Sequence, residues 1–255
     1  MTSISGIMCV WEEAVMAPLA IESVQEYIDE LVVVNKPGRD DTEAVIRDTC
    51  RDYGLKLKFY NYDMRLRFAR MKAFKEASGE WCLIVDGDEV YHTDGEYGAH
   101  TLTNLIDSHS DGATWRAPMN YLYLDFNHTR NDVKQMAYHR FFYKNDGKLS
   151  LQGTKDLPFR GGRRVDINHV FKFNCGIKDA ARIQLRRMGW TRWSKSYKGE
   201  LDFYEWVKLR GIDVEELASE NLYNRDEVVL YDADKWGVRP KVIRDLMEKG
   251  VYLPE

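Results

Sequence analysis

The hydrophobic positions in the first part of the chain repeat as a strand followed by a helix. Apolar runs begin near residues 7, 31, 55 and 81, and an i, i+3/i+4 apolar stripe follows each of the first three. The run Leu31–Val34 is continuous, as in a strand buried on both faces. Each unit is about as long as one βα crossover. The pattern predicts an α/β fold with a mostly parallel central sheet flanked by helices.

After Tyr91 the pattern changes to polar loops and shorter elements. A short helix is predicted over residues 102–108. Strands are predicted over residues 114–118, 121–124, 140–143 and 167–173. From residue 200 onward the spacing of apolar residues is helical and the charges are mixed. We therefore predict one α/β domain over residues 1–175 and a helical C-terminal extension over residues 176–255.

Composition narrows the class of protein. The 37 Lys and Arg residues against 41 Asp and Glu residues give a net charge of −4, so the overall charge does not indicate a nucleic-acid partner. The N-terminus lacks a basic and apolar signal pattern, and no apolar run is long enough for a membrane span, so we expect neither. The four cysteines are far apart, which predicts buried thiols in a reducing, cytoplasmic setting. Aromatic residues make up 13% of the chain, a share that favours a site that stacks on rings or sugars.

Three acids lie at the end of the fourth predicted strand, in the sequence Asp86-Gly87-Asp88-Glu89. Ligands of parallel sheets bind at the carboxyl ends of the strands. Because clustered carboxylates repel one another and lose hydration, this arrangement is costly unless a cation or hydrogen-bond donors lie among them. Carboxylate oxygens suit Mg²⁺ or Mn²⁺, which can also bind a substrate diphosphate. The alternative is a solvated acidic turn.

Three short motifs precede and include this acidic turn. They read Ala69-Arg70-Met71-Lys72-Ala73, Ala77-Ser78-Gly79-Glu80-Trp81 and Leu83-Ile84-Val85-Asp86-Gly87-Asp88-Glu89. They are similar to the Ala-Arg-Asn-x-Ala, small-Gly-Asp/Glu-Trp and Asp-x-Asp-Glu motifs of family 2 glycosyltransferases of the GT-A fold. The resemblance covers residues 4–92 well and residues 138–190 more loosely. The chain departs from the family at Asn35, where an aspartate that contacts the nucleotide is usual, and at Trp11, where asparagine is common.

The resemblance implies metal-dependent, inverting transfer of a sugar from a nucleotide-diphosphate donor to a hydroxyl of a glycan or lipid-linked acceptor. Residues 1–92 would form the nucleotide-sugar half of the catalytic domain, and residues 93–175 the acceptor half. Asp86 and Asp88 would bind Mn²⁺ or Mg²⁺, which neutralises the departing diphosphate. The residues expected to contact the nucleotide-sugar are Trp11, Glu12, Asn35, Asp63, Arg70 and Asp86.

The resemblance also assigns roles to two residues of the second half. Asp156, which follows Gly153, is predicted to be the catalytic base that accepts the proton of the acceptor hydroxyl. The alternative is a capping aspartate in a loop. His169 is predicted to be a third metal ligand, with a structural, hydrogen-bonded histidine as the alternative.

One stretch of the chain, residues 178–198, is strongly basic. It has seven Lys and Arg residues against Asp179 alone, with tryptophan and tyrosine interleaved. One interpretation is a helix packed on the sheet with a solvated basic face. The other is contact with an anion, namely the donor diphosphate, a lipid-diphosphate acceptor or the inner face of a membrane.

Two other functions are compatible with an α/β sheet that ends in acidic residues. A sugar-phosphate nucleotidylyltransferase would have a Gly-rich, basic loop after the first strand, whereas Trp11-Glu12-Glu13 is acidic. A non-catalytic nucleotide- or carbohydrate-binding module is allowed by the departures at Trp11 and Asn35.

Overall fold

The computed structural model describes residues 2–63, 66–96, 98–123, 125–130, 138–150, 159–169, 171–176 and 228–251. The strands of this part are β1 (Ile4–Val10), β2 (Glu30–Asn35), β3 (Lys56–Asn61), β4 (Trp81–Ile84), β5 (Glu89–Tyr91), β6 (Gly112–Tyr123), β7 (His128–Arg130), β8 (Tyr138–Lys144), β9 (Leu149–Ser150), β10 (Phe159–Arg160), β11 (Arg163–Asp166), β12 (Lys172–Gly176) and β13 (Val228–Leu230). The helices are α1 (Ala17–Glu22), α2 (Thr42–Asp52), α3 (Leu66–Glu76), α4 (Leu102–Ser108), α5 (Ala233–Trp236) and α6 (Lys241–Glu248).

Nine of the described strands form one sheet in the order β3-β2-β1-β4-β8-β6-β12-β5, with β11 beside β6. The first four strands in this order are parallel. Strand β8 runs antiparallel to both β4 and β6. The α/β class with a mostly parallel sheet is therefore confirmed. Because β1 to β4 run in the same direction, their carboxyl ends lie along one edge of the sheet.

Helices on both faces bury the central strands. Every residue of β1, β2 and β4 is buried. One face packs against α1 and α2 through residues such as Val33 and Ile46, and the other packs against α3 through residues such as Val34 and Ala73. This two-sided burial explains why the predicted strands were continuously apolar rather than alternating. All four cysteines are buried free thiols, as predicted, and burial raises the pKa of Cys9 to about 12.

The structure differs from the prediction for the strand at residues 167–173. Strand β11 ends at Asp166 and β12 begins at Lys172, and both pair in parallel with successive parts of β6. Between these two pairings lies Pro118 of β6, which has no N–H to donate, so the ladder is interrupted there. Ile167 is buried although it lies outside the strands, so the alternation of β11 extends one residue into the bend, where Asn168 and His169 are both exposed. The two strands predicted at 114–118 and 121–124 are one strand, β6.

The described end of the chain packs against the first half. Strand β13, which the sequence pattern did not predict, pairs with β7. Val242 and Ile243 of α6 pack in one cluster with Met16 and Phe173. The division into residues 1–175 and 176–255 stays a prediction. Among the helices that the structure describes, none combines the length and hydropathy needed to cross a bilayer.

Candidate active site

The carboxyl ends of the parallel strands bring the predicted nucleotide-site residues to one edge of the sheet. Asn35, the last residue of β2, lies beside Val10 of β1 and Asn61 of β3. Val85, at the end of β4, donates its N–H to Ile7 of β1 at 2.8 Å, and the acidic turn follows directly. The acids are thus two strands away from Asn35 along the same edge.

Asp86 is held by Arg70, which reaches it from α3. The Arg70 Nη2 donates to Asp86 Oδ2 at 2.7 Å, and the two side chains are 7% and 18% exposed. Burial alone would lower the pKa of Arg70, but the charges of Asp86, Cys9 and Glu89 and the hydrogen bond to Asp86 together outweigh burial, so the pKa is raised and Arg70 remains a cation. Asp86 Oδ1 is also buried, and no donor among the described residues bonds to it. The carboxylate therefore keeps one oxygen for a further donor or cation.

Asp88 and Glu89 are buried, and Glu89 has an internal counter-ion. Lys172 of β12 reaches across to β5 and forms a buried ion pair with Glu89. Burial raises the pKa of Glu89, the charge of Lys172 opposes this, and the charges of Asp86 and Asp88 add to it. Sequence reasoning missed Lys172. The signal was a single lysine within an otherwise apolar run, Phe171-Lys172-Phe173.

Gly87 allows this acidic turn to approach the end of β1. A Cβ at this position would lie 2.8 Å from Val10 Cγ1 and 3.1 Å from Glu13 Cβ. These distances are shorter than ordinary contacts, so a larger residue would push the two segments apart. The glycine between the two aspartates therefore serves packing, and it fixes both aspartates close to the residues that follow β1.

A second cation, Lys36, lies at the end of β2. Its side chain is 3% exposed, its Nζ lies 4.5 Å from the centre of the Trp11 ring, and Asp63 is 3.7 Å away. Loss of hydration lowers the pKa of Lys36 to about 8, although the charge of Asp63 opposes this. The structure thus brings Trp11 and Asp63 together around a lysine that sequence reasoning did not single out.

Glu12 connects the loops after β1 and β2. It has a φ of 55°, the left-handed region that residues other than glycine rarely adopt. Its Oε1 accepts a hydrogen bond from the N–H of Arg39 at 3.2 Å. Ala14 donates its N–H to Asp40 Oδ2 at 3.1 Å, so the two loops are joined at a second point.

A chain of side-chain hydrogen bonds crosses from β2 to α2. Asn35 Nδ2 donates to Asn61 Oδ1 at 2.9 Å, and Asn61 Nδ2 donates to Glu43 Oε2 at 2.6 Å. Glu43 also accepts from Arg47 at 2.9 Å. Sequence reasoning found Asn35 but not Asn61 or Glu43, whose roles depend on strand register.

His139 of β8 lies on the other side of the acids. Its Nε2 is 2.9 Å from the hydroxyl oxygen of Tyr121 on β6. Burial lowers the pKa of His139, the charge of Lys172 lowers it further, and the charge of Asp86 opposes both. His139 is therefore within electrostatic reach of the acidic turn, on strands of the second half of the sheet.

Comparison with known proteins identifies the family of the chain. The model of the family "Glycosyl transferase family 2" matches residues 5–166, which is more than half of the chain. The chain belongs to this glycosyltransferase family. The match includes all the residues of the edge described above except Lys172.

Three relatives show how far the similarity extends. A TPR repeat-containing protein of Synechococcus elongatus is 34% identical over 89 residues, which are 35% of this chain and 21% of that protein. The prophage-derived glycosyltransferase SunS of Bacillus subtilis is 20% identical over 166 residues, 65% of this chain and 35% of SunS. The crystal structure of S. aureus TarS matches with a TM-score of 0.47 and 12% identity, over 88% of this chain and 45% of TarS. The chain thus spans about a fifth to a third of the length of the curated relatives.

The remaining predicted glycosyltransferase residues are placed as follows. His169 is exposed and lies in the bend between β11 and β12. Within the described residues, no three His, Cys, Asp or Glu side chains are grouped closely enough to hold a metal ion. His169 as a third ligand therefore stays a prediction. Asp156 and the basic stretch 178–198 lie outside the described residues.

The acidic turn nevertheless fits a divalent cation that shares its ligands with a substrate. Mg²⁺ in nucleotide enzymes is commonly bound by one or two carboxylates, by phosphate oxygens and by water. Asp88 and the unbonded Oδ1 of Asp86 supply oxygen ligands of this kind. Two of the three acids already have a cationic partner in the protein, since Arg70 pairs with Asp86 and Lys172 pairs with Glu89.

Proposed function

We propose that the protein transfers a sugar, with inversion, from a nucleotide-diphosphate donor to a hydroxyl of a glycan or lipid-linked acceptor. The observation that carries the proposal is the buried, unbonded Oδ1 of Asp86 beside buried Asp88, at the carboxyl edge of a parallel sheet. Membership of glycosyltransferase family 2 supports sugar transfer as the reaction. Mn²⁺ or Mg²⁺ is the proposed cofactor.

The residues at and around the acidic turn have different proposed roles. Asp86 and Asp88 would hold the cation, which, when bound, offsets the negative charge that develops on the departing diphosphate. Arg70 fixes the orientation of Asp86 through the contact with Oδ2, so that Oδ1 is directed elsewhere. Lys172 balances the charge of Glu89 and so limits the repulsion among the three acids.

The nucleoside would extend along the edge towards β2. Trp11 and Asn35 lie there, and the lysine above the Trp11 ring adds a positive charge close to the expected path of the donor. Asp156 is the proposed base. It would accept the proton of the acceptor hydroxyl while the hydroxyl oxygen attacks the anomeric carbon on the face opposite the diphosphate.

The metal role is tested with Asp88→Asn and a matched control. Nucleoside diphosphate binding is measured by calorimetry with Mn²⁺ and with a chelator. In the wild type we expect Mn²⁺ to strengthen binding by at least about tenfold, and in Asp88→Asn we expect this gain to vanish, because the neutral amide is a much weaker ligand. Asp107→Asn, an exposed acid in α4, should keep the gain.

A donor panel then tests catalysis itself. The wild-type protein is incubated with nucleotide-sugars and Mn²⁺, and release of the nucleoside diphosphate is followed. Slow hydrolysis of one donor is expected even without an acceptor. Tight nucleotide binding without turnover of any donor, with or without glycan acceptors, would instead identify a non-catalytic binding module.

A further inference from the structure

Asn35 has one hydrogen-bonding group that the protein does not use. The residue is 5% exposed, and its Nδ2 donates to Asn61. Its Oδ1 is buried, and none of the described residues donates to it. A buried acceptor without a donor is unfavourable, so a ligand group that supplies an N–H or O–H would gain affinity there.

The neighbouring residues determine that this free group is an oxygen. Glu43 can only accept hydrogen bonds when ionised, and the bonds from Asn61 and then from Arg47 lower its pKa below the ordinary value. Asn61 must therefore turn its NH₂ group towards Glu43 and its oxygen towards Asn35. Asn35 in turn must direct its NH₂ group to that oxygen. The carboxylate thus sets the orientation of both amides.

The position of Asn35 indicates which part of a donor it would meet. In the sheet order, β2 is separated from β4 by β1, so Asn35 is two strand spacings, about 10 Å, from the acidic turn. If the diphosphate lies at Asp86 and Asp88, the base of the nucleotide is the part that extends this far along the edge. Phosphate oxygens are acceptors and carry no donor for Asn35 Oδ1.

We propose that Glu43 and Asn61 are positioning residues, which present the amide oxygen of Asn35 to an N–H on the Watson–Crick edge of the donor's base. The proposal rests on the proposed function, because it assumes a nucleotide donor at this edge. An asparagine amide could otherwise direct either its NH₂ group or its oxygen towards the base. The contacts with Asn61 and Glu43 explain why Asn35 directs its oxygen there. Glu43, on α2, is then needed for base selection although it need not touch the nucleotide.

The test reverses the direction of the hydrogen bonds that run from Asn35 through Asn61 to Glu43. Glu43→Gln removes the charge that orients Asn61, so Asn35 can present either end of its amide, and we expect affinity to fall by about tenfold. In the double variant Asn35→Asp, Glu43→Gln, the carboxylate at position 35 accepts from Asn61, which accepts in turn from the glutamine. Residue 35 again offers an oxygen, so affinity should return to within about threefold of the wild type.

Calorimetry with Mn²⁺ and each of the common nucleoside diphosphates first identifies the tightest ligand. That ligand is then compared with its analogue methylated at the Watson–Crick N–H. Methylation should weaken binding to the wild type by at least about tenfold and should matter much less in Glu43→Gln. The control is Arg47→Met, which removes the other partner of Glu43 and leaves its Oε2 to Asn61. Its nucleotide affinity should be unchanged.

The outcomes are distinct. Unaltered nucleotide binding in a Glu43→Gln variant that is shown to be folded by thermal unfolding would overturn the positioning role of Glu43 and Asn61. It would leave the proposed function standing. Additive losses in the double variant would have the same two consequences, since a merely structural contact is not rescued by a second change. If no nucleoside diphosphate binds the wild type, the proposed function fails, and the positioning role of Glu43 and Asn61 fails with it.

Discussion

At the scale of single residues, Lys36 combines burial with a charge. Its side chain is 3% exposed, and the Asp63 carboxylate, 3.7 Å from its Nζ, is itself half exposed. Loss of hydration is the larger effect and lowers its pKa to about 8 from an ordinary value of 10.5. The Trp11 ring, whose centre lies 4.5 Å from Nζ, favours the charged form of the lysine. Such a lysine costs stability while it is charged, which is typical of residues kept for a site.

The pH dependence of stability follows from this shift. Between about pH 8 and pH 10.5 the unfolded chain keeps the proton of Lys36 and the folded protein releases it, so the free energy of unfolding rises with pH. Relative to Lys36→Met, the wild type should gain up to roughly 3 kcal/mol across this window. Urea unfolding of both proteins from pH 7 to pH 10 measures the difference.

At the scale of elements, the pairing of β5 with β12 joins the acidic turn to the second half of the sheet. Phe173 of β12 lies opposite Val90 of β5. Lys172, which precedes Phe173, and Glu89, which precedes Val90, therefore lie on the same face of the sheet. The two charges are buried together, with side chains 3% and 7% exposed. Removal of one partner would leave the other as an isolated buried charge. The ion pair therefore makes the strand register, and with it the shape of the acidic turn, depend on both residues.

We expect Lys172→Met to lower the free energy of unfolding by roughly 3–5 kcal/mol at pH 7. Adding Glu89→Gln should recover a substantial part of this loss, because the double variant no longer buries an unpaired carboxylate. Urea unfolding of both single variants and the double variant gives the coupling energy. Removing the exposed pair of Arg163 and Asp111 is the control and should cost less than about 1 kcal/mol. Strictly additive effects of the two buried substitutions would contradict the pairing.

At the scale of the whole molecule, the described C-terminal residues are part of the same packed structure as the sheet. Ile243 of α6 is fully buried, in a cluster with Met16 from the loop before α1 and Phe173 from β12. Tyr231 belongs to the same cluster, and its hydroxyl donates to the carbonyl of Gly237 at 2.8 Å. The cluster links residues of the matched family region, such as Met16, with residues beyond it.

Ile243→Ala should therefore destabilise the main unfolding transition by roughly 2–5 kcal/mol, as expected for a large-to-small change in a core. Thermal unfolding should stay a single transition at a lower temperature. The control is Leu230→Ala in β13, whose side chain is 71% exposed, with an expected change within about 0.5 kcal/mol. A main transition that Ile243→Ala leaves unchanged would show that α6 contributes nothing to the stability of the sheet.

Much of the parallel half could be predicted, because its signals are local. Strands buried on both faces are continuous apolar runs, and helix α2 ends before Gly54, which has a φ of 64°. The strand prediction failed where the pairing of strands, and not the local sequence, determines the structure. The alternation at residues 167–173 looked like a strand, but two parts of the chain pair with β6 on either side of Pro118. A pattern of apolar positions does not distinguish a strand from a bend that buries a single residue such as Ile167.

The sequence by itself determined the α/β class and placed three acids after a buried strand, since both depend on neighbours along the chain. Only the tertiary structure decided which charges these acids meet. Lys172 pairs with Glu89 across 83 residues, and Asn35 bonds to Asn61 across 26. Such contacts depend on strand order and register, which arise when the sheet assembles, and not on any local pattern. The charge balance and hydrogen-bond polarity of the site are therefore properties of the folded sheet.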